Sequence, residues 1–189
     1  DNFTSLCKSL ILIGYELDLI FDKVIIPTLE KLGEKWVNNE ISISEEHMAS
    51  VIVKKFLTSL NQNFNHASKK EIFCFTLFND DHDLPLYMVE NILNDLGYKV
   101  FNLGSNLPVY DLLDFLDKHN PKYIFLSIIY IEDVELMNKE LKLLSQKTVK
   151  KNIKILLKGA GVDRLNTNYS NCTIVNTFKK IKFELNKSK

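Results

Sequence analysis

Residues 71–103, EIFCFTLFNDDHDLPLYMVENILNDLGYKVFNL, read as strand, helix and strand. Glu71–Phe78 is a short apolar run of the kind found in strands buried on both faces. Met88, Val89, Ile92, Leu93 and Leu96 then recur at three-to-four spacing, which marks an amphipathic helix, and Lys99–Leu103 returns to strand composition. The alternation continues downstream. Strands are predicted at Tyr123–Tyr130, Ile153–Leu157 and Cys172–Val175. A second helix is marked by Val109, Leu112, Leu113 and Leu116, and a third by Val134, Met137, Leu141 and Leu144. Strands alternating with helices predict an α/β domain, flavodoxin- or Rossmann-like, with five parallel strands and helices on both faces. Ligands on such sheets bind at the carboxyl ends of the strands.

Upstream of about Asn65 only helical periodicity is present. Leu17, Ile20, Phe21 and Val24 form a stripe that Ile25, Leu29, Leu32 and Trp36 continue, and Pro27 is expected to kink or restart that helix. Ser44 is the expected N-cap of a following helix, with Glu45 and Glu46 in its first turn and Ala49, Ile52, Val53, Phe56, Leu57 and Leu60 on its apolar face. This half reads as a four-helix bundle over residues 1–65. The polar, aperiodic stretch Asn61–Lys70 is the expected linker, and residues 66–189 form the α/β domain.

With 24 basic and 24 acidic residues the chain carries no net charge, so it has no electrostatic footprint for DNA or an acidic membrane. Its three cysteines, Cys7, Cys74 and Cys172, share no CxxC spacing. Cys74 reads as a core residue, and a reducing cytoplasm is the expected compartment. The apolar run Leu10–Ile13 is too short to span a bilayer. The chain opens at Asp1 rather than Met, so the expectation is a fragment with a segment missing upstream.

After the first strand comes Asn79-Asp80-Asp81-His82-Asp83-Leu84-Pro85. A metal-bound histidine commonly donates its other ring N–H to a carboxylate, which fixes the tautomer, and Asp80 is spaced to be that acceptor. Taken alone, the loop reads rather as a solvated turn in which His82 is one polar residue among several. Further along, the pattern Asp80-x-His82-x-x-Pro85 is followed after 41 residues by Ser127-Ile128-Ile129, and after 28 more by Lys158-Gly159-Ala160-Gly161.

This order resembles the Asp-x-His-x-x-Gly, Ser-x-Leu, Gly-Gly signature of cobalamin-binding domains that hold the cofactor base-off with histidine on cobalt. Pro85 stands where that family has Gly, and Lys158 replaces the first Gly of its pair. Lys158 would either contact a ligand phosphate or obstruct it. In the helical half, Trp36, nine residues, then Glu46-His47 is similar to the cap motif of CarH-type, MerR-family light-sensing transcriptional regulators, which use adenosylcobalamin. These relatives often carry a histidine directly after the tryptophan. Here the position is Val37.

The resemblance implies His82 as the lower axial ligand of cobalt. It implies cofactor contacts from Trp36, Ile43, Glu46, His47, Asp80, Asp81, Leu84, Pro85, Ser127, Ile129, Lys158, Gly159 and Gly161. Ser127 would bond the buried dimethylbenzimidazole, and the Gly159 loop would pass beside the nucleotide tail. Trp36 would cover the upper corrin face, with Glu46 and His47 on the adenosyl group. The implied cofactor is cobalamin, the adenosyl form favoured, and the implied function is sensing, not catalysis. The partners would be further copies of the chain in a ligand- and light-dependent oligomer, with no membrane, and DNA only through a module outside this sequence. Two alternatives stay open. One is a corrinoid methyl carrier of a methyltransferase system, the other a cofactor-free interaction module. A second tetrapyrrole also stays open. Gly104-Ser105-Asn106-Leu107-Pro108 resembles the family's second-strand loop but equally an ordinary turn. Lys179, Lys180, Lys182, Lys187 and Lys189 read as a solvated, frayed end.

Overall fold

The computed structural model describes residues 2–60 and 70–187. The expected linker, Asn61–Lys70, lies outside the described residues except for Lys70. The chain forms two units, Phe64–Asn176 and the pair of segments Asp1–Asn63 and Thr177–Lys189.

In the first of these units the predicted alternation is present. Its elements are β1 (Glu71–Leu77), α5 (Leu84–Asp95), β2 (Lys99–Leu107), α6 (Val109–Lys118), β3 (Tyr123–Ser127), α7 (Val134–Val149), β4 (Lys154–Lys158) and β5 (Cys172–Ile174). All strands pair in parallel in the order β2-β1-β3-β4-β5. The inner strands are apolar because helices cover both of their faces, and every residue of β3 is buried. Ile124, Leu126, Ile155 and Leu157 pack with Leu112, Leu116, Leu141 and Leu144 of α6 and α7. Tyr123, Phe125 and Ser127 alternate onto the opposite face. Cys74 is fully buried, in keeping with its reading as a core residue.

Two strand ends differ from expectation by more than one residue. β3 stops at Ser127 rather than Tyr130, because the Ile129 and Tyr130 N–H groups leave the ladder for the Asp80 carboxylate. β2 runs on to Leu107 through register shifts, with Gly104 at φ 80° and Asn106 at φ 60°. Gly104–Leu107, expected as a loop or an ordinary turn, thus lie inside an irregular strand, and only Pro108 lies beyond it.

The other unit is helical: α1 (Asn2–Leu12), α2 (Leu17–Ile20), a π-helical turn (Phe21–Ile25), α3 (Ile26–Val37), α4 (Ile43–Leu60) and, from the far end of the chain, α8 (Phe178–Asn186). Pro27 sits in the first turn of α3, where its missing N–H costs nothing, and the widened π turn precedes it. Ser42, not Ser44, caps α4. Its hydroxyl accepts from Glu45 N–H at 3.3 Å while the Glu45 carboxylate accepts from Ser42 N–H at 2.8 Å, a reciprocal capping box.

Among the described residues the basic end is a helix rather than a frayed tail; Lys189 lies outside them. Phe178, Ile181 and Leu185 form a buried stripe beneath the lysines. Phe178 meets Phe21 edge to face at 5.6 Å, and Lys182 pairs with Asp18 at 2.8 Å and Glu16 at 2.5 Å. The Asp22 carboxylate, from the π turn, accepts the Phe178 and Lys179 N–H groups at 2.9 and 3.2 Å, a cap of about 1 kcal/mol. The helical unit therefore takes its last element from beyond β5, and a single boundary at residue 65 does not divide the chain. Among the described residues no helix is long and apolar enough to cross a membrane.

Candidate functional site

In a sheet of order 2-1-3-4-5 the crevice opens where the connections reverse direction, between β1 and β3. The loops leaving those two strands are Asn79–Asp83 and Ile128–Asp133. They are joined by one side chain. Asp80 is fully buried, and its Oδ2 accepts Ile129 N–H at 2.7 Å and Tyr130 N–H at 3.2 Å. Its Oδ1 accepts His82 N–H at 3.1 Å and lies 2.8 Å from His82 Nδ1.

An ionised carboxylate only accepts, so Nδ1 is the protonated nitrogen of the ring and Nε2 carries the lone pair in neutral imidazole. The ring is 55% exposed and lies 6.4 Å from the Tyr130 ring. A half-exposed imidazole with its tautomer fixed by a buried carboxylate can complete the coordination of a metal that a macrocycle already holds.

Ser127 lies in register with Thr76 of β1 and Lys158 of β4 at the carboxyl end of the sheet. Its hydroxyl is buried and bonded to no described group. Burying a hydroxyl without a partner costs about 1–3 kcal/mol, so this atom fits a ligand that hydrogen-bonds there. Thr76 is differently occupied, since its hydroxyl donates to the Asp80 carbonyl and accepts Asn106 N–H. Lys158 Nζ donates to the Asn176 carbonyl at 3.3 Å. Leu84 and Pro85 form the first turn of α5, where proline is a favoured residue. Pro85 is buried, while Asp81 is exposed beside His82.

The glycines have a reason inside the fold. At Gly159, φ 134°, a Cβ would stand 2.0 Å from the Ile128 carbonyl oxygen. At Gly161 it would meet Ile128 and Ile131 side chains at 3.0 and 3.1 Å. The β4 loop thus lies directly against the β3 loop, with Gly161 N–H donating to Ile128 O at 3.0 Å. Packing against the Ile128 backbone accounts for Gly159, while Gly161 is crowded by the Ile128 and Ile131 side chains.

Four residues of the site carried no role in the sequence reading: Thr76, Asn79, Asn106 and Glu132. Asn79 donates its amide to Glu132 Oε2 at 2.7 Å and its backbone N–H to Asn106 Oδ1 at 2.8 Å. The available signal was an asparagine just past β1 and another near the end of β2, since asparagine tolerates left-handed backbone.

The cap residues lie in the helical unit. Trp36 and Ile43 are 46% and 54% exposed, and Val37 is also exposed. Glu46 Oε2 lies 2.7 Å from His47 Nδ1, and its Oε1 accepts the Ser50 hydroxyl at 2.7 Å. Here too a carboxylate holds Nδ1 of a histidine.

Fold and site together define an α/β cofactor domain that presents a carboxylate-held imidazole, beside an unpartnered hydroxyl, at the switch point of its sheet. The chain belongs to the B12 binding domain family: two family models of that description match residues 71–173 and 1–61. It is 27% identical over 117 residues to the HTH-type transcriptional repressor CarH of Myxococcus xanthus, covering 61% of this chain and 38% of the repressor. It is 20% identical over 153 residues to methionine synthase of Mycobacterium leprae, covering 77% of this chain and 13% of the synthase. The chain thus spans well under half the length of either relative.

Among solved structures, the monomethylamine corrinoid protein of Methanosarcina barkeri superposes with a TM-score of 0.72 at 17% identity, over 96% of this chain and 90% of that one. The methanol:cobalamin methyltransferase complex MtaBC from the same organism gives 0.55 at 14% identity, over 98% and 72%. Cobalamin is accordingly the cofactor class of this chain, and the fold is that of corrinoid-binding proteins.

Proposed function

We propose that this chain is an adenosylcobalamin-binding sensor region of a transcriptional regulator, with His82 as the lower axial ligand of cobalt. The observation that supports it most is the Asp80 carboxylate, which holds His82 Nδ1 at 2.8 Å while tied to the Ile129 and Tyr130 N–H groups of the facing loop. That arrangement reserves Nε2 for the metal and fixes the ring before any ligand arrives. Ser127 would bond the nucleotide base, and Lys158 would lie near the tail. Trp36, Ile43, Glu46 and His47 would cover the upper face, the spacing of Trp36 and Glu46-His47 being that of CarH-type caps.

When bound, adenosylcobalamin supplies a cobalt–carbon bond that light can break. The chain's part is to fit one cofactor state better than another, and thereby to bias its own packing and assembly with further copies. Val37 offers no second imidazole beside Trp36. His47, its Nδ1 already held by Glu46, is the chemically suited substitute. DNA contact would belong to a separate module, and the setting would be the cytoplasm.

A second reading, a corrinoid carrier of methyl groups, draws on the similarity to methionine synthase over 77% of the chain. One experiment separates these readings. The chain is incubated in the dark with adenosylcobalamin or methylcobalamin, and absorption and oligomer size are recorded before and after illumination. The sensor reading expects preference for the adenosyl form and a light-dependent change in size. Preference for methylcobalamin with no such change favours the carrier, and a colourless protein favours a cofactor-free module. His82→Ala should lose the His-on spectrum. An unchanged spectrum refutes the ligand assignment.

A further inference from the structure

The loop carrying His82 is held from the neighbouring strand. Asn106, at φ 60° near the end of β2, accepts Asn79 N–H on Oδ1 at 2.8 Å. Its own N–H points to Thr76 Oγ1 at 2.8 Å and to the Asp80 carbonyl at 3.2 Å. Thr76, fully buried in β1, donates its hydroxyl to that same carbonyl. The peptide group before Asn79 and the one after Asp80 are therefore held by Asn106 and Thr76, while the Asp80 N–H between them donates to the Leu77 carbonyl at 3.1 Å.

Their effect falls on one torsion. Asn79 stands at φ 67°, a left-handed conformation that few residues other than glycine, asparagine and aspartate adopt readily. With Asn79 in that conformation, the Asp80 side chain reaches inward to Ile129, Tyr130 and His82. The Asn106 acceptor and the Thr76 donor hold the turn.

We propose that Asn106 and Thr76 are positioning residues for the cobalt ligand: they hold the Asn79–Asp80 turn in the form that delivers the Asp80 carboxylate to His82 Nδ1. This rests on the ligand assignment above and adds the part of β2 in it. Ligand-orienting groups of this kind change metal affinity by about 10–100-fold when removed.

The test uses the full chain, with adenosylcobalamin as the probe. Asn106→Gly keeps the left-handed backbone and deletes the acceptor; Asn106→Asp keeps the acceptor. Thr76→Val keeps the branched shape and removes the hydroxyl. Asn106→Gly and Thr76→Val are expected to bind cobalamin about tenfold more weakly and to lose part of the His-on absorption. In the chain without cofactor, their Asn79 amide should exchange with solvent faster than in wild type. Asn106→Asp should restore binding, spectrum and exchange.

Asn106→Gly with wild-type affinity, spectrum and exchange overturns the proposal. Where that variant does not fold, Thr76→Val decides by the same three readings. In wild type itself, an Asn79 amide exchanging at the rate of an open chain overturns it without any variant. If His82→Ala leaves the spectrum unchanged, the ligand assignment falls and takes this inference with it. If His82→Ala loses the His-on form and Asn106→Gly keeps it, the inference alone falls.

Discussion

Replacing Asp80 by Asn keeps the outline of the side chain and halves its accepting capacity. The two carboxylate oxygens accept from His82 N at 3.1 Å, His82 Nδ1 at 2.8 Å, Ile129 N at 2.7 Å and Tyr130 N at 3.2 Å, in a residue with no exposed surface. A carboxamide offers one oxygen and one NH2 group. If the oxygen faces His82, the NH2 opposes two backbone donors of the β3 loop, and each buried donor without an acceptor costs about 1–3 kcal/mol. If the oxygen stays with Ile129 and Tyr130, the NH2 faces His82, whose side chain is 55% exposed, so water relieves part of the loss. The second arrangement wins.

In that arrangement the ring can meet the amide only by turning its Nδ1 lone pair toward it. The ring proton then moves to Nε2, the atom we propose as the cobalt ligand. We expect a stability loss of about 1–2 kcal/mol for the opposed His82 N–H, and a fall in cobalamin affinity of about 10–100-fold. Urea denaturation without cofactor reads the first, and an absorption titration with adenosylcobalamin reads the second. At about 1.4 kcal/mol per tenfold, the expected affinity loss is of the same size as the stability loss or larger. A variant that binds as tightly as wild type, with an unaltered His-on spectrum, would show that the carboxylate does not set the tautomer.

Ser127→Ala removes a buried hydroxyl bonded to no described group, so the cofactor-free chain should be as stable as wild type or more so, while cobalamin binds more weakly. Lower stability without cofactor would mean that the hydroxyl serves the fold. Gly159→Ala places a Cβ 2.0 Å from the Ile128 carbonyl oxygen at φ 134°, and should lower the unfolding free energy read by urea denaturation by about 3 kcal/mol or more with or without cofactor. A loss seen only in cobalamin binding would assign Gly159 to the ligand instead. Burial raises the Glu140 carboxyl above its ordinary value, against the lowering effect of hydrogen bonds from the Val109 and Phe78 N–H groups. A raised folded pKa contributes stability that is fully present below the unfolded value of about 4.3 and is lost as pH rises through the folded one. Glu140→Gln keeps an acceptor without the charge, so its stability relative to wild type should increase between pH 3.5 and 7. A constant difference across that range would contradict the burial effect.

The sheet was legible because its inner strands are apolar along their whole length, which short-range composition reports directly. The Asp80–His82 pair was legible for a similar reason: two residues apart on one loop, it needs no knowledge of the fold. The rest of the site depends on strand order. Asp80 reaches Ile129 and Tyr130 across 49 and 50 residues, and Asn106 reaches Asn79 across 27, contacts that exist only because β1 lies between β2 and β3. Composition cannot announce them, and it misleads at β3, where Ile128-Ile129-Tyr130 continues the apolar run after the backbone has left the ladder.

α8 was hidden differently. Its apolar stripe of Phe178, Ile181 and Leu185 sits among lysines whose charge suggests a frayed end, until Asp18 and Glu16 of the helical unit are found pairing with Lys182. In each case the missing information is a partner distant in sequence. A histidine and a carboxylate two residues apart can be written into many loops at little cost. Burying that carboxylate at the mouth of the sheet, with its accepting positions turned to three backbone N–H groups and one ring nitrogen, requires the 2-1-3 order. The topology, more than the motif, is what makes this imidazole suited to a metal.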